Sequence, residues 1–206
     1  MMHLKQINKT TILSILFFVF TIFCMPAVFA DVADECEEQV PTVNIQFNVS
    51  YPRFDDIDNL AIQDKINNDV KAYTHECLKE MQGYLFEDFP AGVDIHPVMH
   101  LRSEDRLSFH MFYWMYTGGA HGNVIINTFN YDLKTGKKLS FKDVSKASLK
   151  QINKAIFAQA EGFYDDFKGI KEYPETFYLD DDGSVVIVFQ PYEIAPYVRG
   201  VIEVRI

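Results

Sequence analysis

Cysteine is scarce in this chain of 206 residues: there are three, and no two stand in the CxxC spacing from which many zinc sites are built. Positive charge is also in deficit. The 19 lysines and arginines face 29 aspartates and glutamates, a net charge of −10, and no basic stripe with interleaved aromatics occurs. Phosphate backbones would repel such a chain, which excludes nucleic acids as partners, and by the same reasoning anionic lipid is an unfavourable surface. Internal repeats, low-complexity tracts and Pro/Gly/Ser-rich linkers are missing too. What is left is of single-domain length, long enough to bury a real core, and the nearest thing to a boundary is the Pro90-Ala91-Gly92 break. That break divides a strand-helix module, residues 31–90, from a larger α+β module, residues 91–206.

Long apolar runs are confined to the N-terminus. Lys5 and Lys9 make a short positive region, residues 12–23 form an apolar run of signal-peptide length, and Ala27-Val28-Phe29-Ala30 places small residues at the cleavage positions. The reading is a signal peptide over residues 1–30, cleaved after Ala30, with export to the periplasm or the cell exterior and no transmembrane anchor left behind. The competing reading is an uncleaved anchor or a buried helix. Phe23, ahead of Cys24, is not the small residue that a lipoprotein site needs. Cleavage removes two lysines and no acid, taking the net charge from −10 to −12.

Two cysteines, Cys36 and Cys77, survive processing, and an oxidising compartment favours a bridge between them. Cys77 shares a helical face with Ile62, Ile66, Val70, Tyr73 and Met81, while Cys36 lies in an acidic lead-in before the first strand. Two free, partly buried thiols are the alternative.

The periodicities give an α+β fold: an antiparallel sheet with two main helices packed on one side. Residues 43–51 alternate as a strand that Pro52 stops, and residues 55–89 read as an amphipathic helix ending near Gly83. Strands follow at 93–102, 106–116 and 123–133. In the second of these Leu107, Phe109, Met111, Tyr113 and Met115 share one face, and Ser108, His110, Phe112, Trp114 and Tyr116 the other, so both faces are expected to be covered. Gly136 supplies the positive φ of a tight turn after Lys134-Thr135. Ser145 is the expected cap of a helix with Leu149, Ile152, Ile156 and Ala160 inward and Gly162 at its end. Strands at 177–179 and 185–189 flank an acidic turn, and a final strand covers 201–206.

Three motifs stand in order along the chain: Tyr116-Thr117-Gly118-Gly119-Ala120-His121, Asn130-Tyr131-Asp132-Leu133-Lys134-Thr135-Gly136-Lys137, and Pro191-Tyr192-Glu193-Ile194-Ala195-Pro196-Tyr197. Together they resemble the C-terminal module of a bacterial extracytoplasmic domain of unknown function, found in the ectodomain of lysozyme-sensing anti-sigma factors and beside the catalytic domain of some peptidoglycan deacetylases. Residues 43–85 resemble the smaller N-terminal module of the same family. The resemblance implies an envelope location and, as partner, a cationic muramidase of the lysozyme type, or peptidoglycan itself. An anti-sigma role is not expected, since only about ten residues precede the apolar run. The deacetylases carry their chemistry in a separate domain, so catalysis is not expected of this chain either.

The candidate binding residues are Tyr116, Gly118, Gly119, His121, Tyr192 and Tyr197. Exposed amides around Gly118-Gly119 suit an anion or a carbonyl, and His121 suits a base or ligand that His110 or Glu193 could join. The plainer reading is that His121 fixes the loop and the tyrosines pack. No cofactor is expected. His96 and His100 share a strand face without a third metal ligand, and Asp180-Asp181-Asp182-Gly183 lacks the spacing of a calcium loop. Three functions remain: a non-enzymatic envelope binder, a peptidoglycan-acting enzyme or accessory using the Gly118-Gly119-Ala120-His121 loop, and a structural envelope protein.

Overall fold

Two sheets lie face to face between two helices, and each layer traces to an alternation or a helical period in the sequence. The computed structural model describes the backbone of residues 34–42 and 45 and, with side chains, residues 46–84 and 91–206. The expected signal peptide, residues 43–44 and Pro90 lie outside the described residues.

The first sheet has the order β1-β2-β3-β4-β5, from Asp34–Thr42, Ile45–Arg53, Ala91–Arg102, Arg106–Tyr116 and Asn123–Asp132. The fold is α+β as the periodicities predict, but the sheet is mixed. β2 and β3 run parallel, because helix α1 (Leu60–Gln82) carries the chain from the end of one back to the start of its neighbour. The acidic lead-in expected around Cys36 is itself strand β1, which satisfies the outer edge of β2 and places Cys36 opposite Tyr51. Strand β2 also continues one residue past Pro52.

Helix α1 begins at Asn59, whose side chain accepts from the Ala61 and Ile62 amides. Its inward residues Ile62, Ile66, Val70, Cys77 and Met81 pack on Leu107, Phe109, Met111, Tyr113 and Met115 of β4, one face of the sheet. Asn67 holds the incoming chain by accepting from the Phe54 amide at 2.9 Å and donating to the Phe54 carbonyl at 2.8 Å.

The expected Cys36–Cys77 bridge is not formed. Cys77 is a free thiol, 5% exposed, under α1, and burial pushes its pKa up. The helical period that turns Cys77 inward is what commits it to this core.

The second sheet, β6-β7-β8, is antiparallel and consists of Phe177–Leu179, Val185–Phe189 and Ile202–Arg205. Every residue of β7 is buried, so it needs cover on both sides. Val186 and Val188 face the first sheet with Tyr178, Ile126 and Phe112, whereas Val185, Ile187 and Phe189 meet helix α3 (Leu149–Gln159) through Ile152 and Ile156. The two main helices therefore cover opposite outer faces of a double sheet, where the periodicities alone predict both on one side of a single sheet.

A polar seam joins the sheets. The Phe177 amide donates to Thr128 Oγ1, the Leu179 amide to Ser108 Oγ, and the Phe177 carbonyl accepts from Asn130 Nδ2. Ser108, Thr128 and Asn130 are buried, and these bonds to the edge of β6 offset their desolvation.

Ser148, not Ser145, caps α3, with Gln151 closing a capping box. Ser145 instead ends the short helix α2 (Phe141–Val144), its amide donating to the Phe141 carbonyl. The inward run stops at Ala160, two residues before Gly162.

Candidate binding site at the loop between β4 and β5

Strand β4 delivers Tyr116 to the end of the double sheet, and residues 117–122 turn the chain into β5. Gly118 and Gly119 have φ of 94° and 97°, a region that side chains resist. A Cβ on Gly119 would meet nothing within 4 Å, so backbone conformation alone calls for glycine there. Gly122 is different: a Cβ on it would lie 2.6 Å from Trp114 Cε2, so glycine is needed for the indole to approach the loop.

Polar contacts hold the loop in shape. The Tyr116 hydroxyl donates to the Gly119 carbonyl at 3.0 Å. His121 Nδ1 lies 2.9 Å from the Gly122 carbonyl, which requires a proton on Nδ1. The Tyr192 hydroxyl stands 3.4 Å from that Nε2, and the Tyr197 hydroxyl donates to the same Gly122 carbonyl. The His121 ring stacks on Tyr197 at 3.8 Å and 17°, with Tyr192 5.3 Å from Tyr197. The rings of Trp114 and Tyr116 are nearly parallel, 6.2 Å apart.

The tyrosines come from a turn pinned to the first sheet. Gln190 accepts from the Ile126 amide at 2.9 Å and donates to the Ile126 carbonyl at 2.8 Å, substituting for one residue of a further strand on the edge of β5. The Glu193 carboxylate accepts from the Gln190 amide at 2.7 Å, and Ile194 and Ala195 are buried beneath. Tyr192 is the only non-glycine residue with positive φ among the described residues, at 70°, and it remains 53% exposed. A strained, exposed tyrosine held by its surroundings is the kind of backbone outlier that concentrates at contact surfaces.

All six candidate residues therefore meet in one place. Trp114 joins them; its position two residues before Tyr116 on the same strand face was the signal for it. His110 and Glu193 do not join His121. His110 lies about 20 Å away along β4, where its Nδ1 is 2.8 Å from His100 Nε2 and Tyr178 stacks on His100 at 3.5 Å. Burial lowers the pKa of both histidines to about 4. His96 pairs instead with Asp94 and stacks on Phe112, so His96 and His100 do share the face of β3 that meets His110 and Phe112 of β4, on either side of a register shift between Met99 and Leu101. Among the described residues no three His, Cys, Asp or Glu side chains converge as a metal site. In the acidic turn, Asp180 and Asp182 are paired with Arg205.

Residues 38–124 match the family model described as Deacetylase PdaC, and residues 132–206 match that described as Protein of unknown function (DUF3298). No curated protein matches the chain. Two solved structures have the same fold. A DUF3298 family member from Bacteroides fragilis superposes with a TM-score of 0.55 at 19% identity, covering 85% of this chain and 88% of that one. A DUF3298 family protein from Pseudomonas aeruginosa gives 0.53 at 17% identity, covering 85% and 91%. The site lies where the two matched segments touch: Tyr116 to His121 come from the segment similar to the deacetylase, and Tyr192 and Tyr197 from the segment similar to the domain of unknown function.

Proposed function

We propose that this chain is an exported, non-enzymatic binding protein of the bacterial envelope. Its contact surface is the aromatic shelf of Tyr116, Gly118, Gly119, His121, Tyr192 and Tyr197, with Trp114 at its edge. The observation that carries this reading is how the polar atoms of the shelf are used. His121 Nδ1 and the hydroxyls of Tyr116 and Tyr197 are spent on carbonyls of the loop, and His121 Nε2 meets the Tyr192 hydroxyl, so the groups suited to proton transfer hold the shelf together. What they hold outward is aromatic surface of the kind that anchors interfaces and stacks on sugar rings.

The ligand is a cationic muramidase of the lysozyme type or a peptidoglycan glycan. The net charge supports the first through long-range attraction, and the deacetylase-like segment supports the second. A role as accessory to a peptidoglycan-acting enzyme draws on the same segment. The test is surface plasmon resonance against lysozyme, soluble peptidoglycan fragments and an equally basic unrelated protein, at low and high salt. Specific binding to one of the first two should persist at high salt, and Tyr192→Ala should weaken it by about tenfold or more. Binding that salt abolishes, that the control reproduces, or that Tyr192→Ala leaves unchanged would reject the shelf as a recognition surface.

A further inference from the structure

The net charge conceals a segregation. Between Lys142 and Lys171 stand six lysines and four carboxylates, a positive surplus inside a chain whose total is −10. Two of those carboxylates are taken, Asp143 by Lys137 and Glu161 by Arg199, leaving Asp165 and Asp166.

Helix α3 organises this charge. Ile152 and Ile156 are its inward face, so Lys150, Lys154 and Phe157, spaced i, i+4 and i+7, share the outward one. Lys142 and Lys146 continue the four-residue spacing ahead of the helix, and both are exposed. Asn153 accepts from the Ile170 amide at 2.7 Å and donates to its carbonyl at 3.0 Å, which brings the loop carrying Lys168 and Lys171 against the helix flank. One turn beyond Lys154 stands Phe157, 48% exposed, backed by Phe163 at 5.3 Å and Phe167 at 5.7 Å. An aromatic ring raised among lysines and supported from below is costly to leave in water, yet it matches a surface that is anionic outside and apolar just beneath.

We propose that this face of α3 is a docking surface for an anionic phospholipid membrane. Lysine ammonium groups meet the lipid phosphates, and the Phe157 ring enters the boundary between headgroup and acyl chain. The acidic remainder of the chain does not forbid this, because at physiological salt its field decays over about 8 Å while the lysines lie in direct contact. A soluble anionic polymer would meet the lysines equally well but would leave Phe157 in water. The inference is independent of the aromatic shelf, which draws on other residues.

The experiment is flotation of the full chain with vesicles of phosphatidylcholine alone and mixed with phosphatidylglycerol, for wild type, Lys150→Glu/Lys154→Glu and Phe157→Ser. Residues 1–30 are common to all three proteins, so differences between them report on α3. Wild type should partition onto the mixed vesicles more than onto the zwitterionic ones, and less as salt rises. The double charge reversal should lower that partition by about 20-fold or more, given the worth of each lysine at an anionic surface. Phe157→Ser should lower it at low and at high salt alike while leaving retention on heparin unchanged. Unaltered thermal melts would confirm that the exposed substitutions leave the fold intact. Equal partition of wild type onto both vesicles, or undiminished binding by the charge-reversed variant, would overturn the proposal. Retention on heparin without partition onto anionic vesicles would overturn it in favour of a soluble anionic polymer.

Discussion

Gly136 shows how one residue can answer to two constraints. Its φ is +70°, and its amide donates to the Asp132 carbonyl at 2.8 Å to close the turn after β5. An added Cβ would also lie 3.1 Å from Ile62 Cγ1 on α1, so the turn is pressed onto the first core. Gly136→Val should destabilise the fold by about 1 kcal/mol or more, through both the left-handed backbone and the crowding, read as a lower denaturant midpoint. The positive φ is legible in Lys134-Thr135-Gly136; the contact with Ile62, 74 residues earlier, is not. Cys77 makes the opposite point. Compartment reasoning favours a bridge, whereas the helix turns the thiol into the core. Mass spectrometry of its peptide should find Cys77 unalkylated in the native protein and alkylated after unfolding without reductant; protection that survives unfolding would restore the bridge to Cys36.

At the scale of elements, the His100–His110 pair lies between β3 and β4 under Tyr178, where desolvation opposes charging either ring. Their folded pKa values, about 4, lie below the 6.5 of a free histidine. Between those values the unfolded chain binds protons that the folded chain refuses. Stability from this source is therefore complete above about pH 6.5 and falls as the pH drops toward 4. The loss should be on the order of 2 kcal/mol for the coupled pair, since His100 keeps partial contact with solvent. Denaturant midpoints measured across that window should fall with acid in wild type and stay flatter in His100→Gln/His110→Gln. Equal slopes would show that the pair is solvated. Helix ends illustrate a different limit. Ser145 and Ser148 both precede an apolar period, and only the short helix α2 ending at Ser145 leaves Ser148 free to form its box with Gln151.

At the scale of the whole molecule, the aromatic shelf and the basic face of α3 are assembled by different means. The shelf needs Gln190 to pin the tyrosine turn onto Ile126, 64 residues away, and Gly122 to admit Trp114. The basic face needs only the helical period and one amide clamp from Asn153. Net charge, an average over the chain, describes neither surface.

Local patterns by themselves determined the α+β class, the extent of β4 and the inward face of α1, because alternation, helical spacing and turn chemistry act over a few neighbours. The tertiary structure decided the rest. The parallel pairing of β2 with β3, the pairing of β1 with β2, the stacking of two sheets with helices on opposite faces, and the use of His121 as scaffold all depend on which distant backbone groups must be satisfied. Ser108, Thr128 and Asn130 are polar side chains buried against the edge of β6. The need of Phe177 and Leu179 for hydrogen-bond partners, set by the packing of one sheet on the other, is what decides their place.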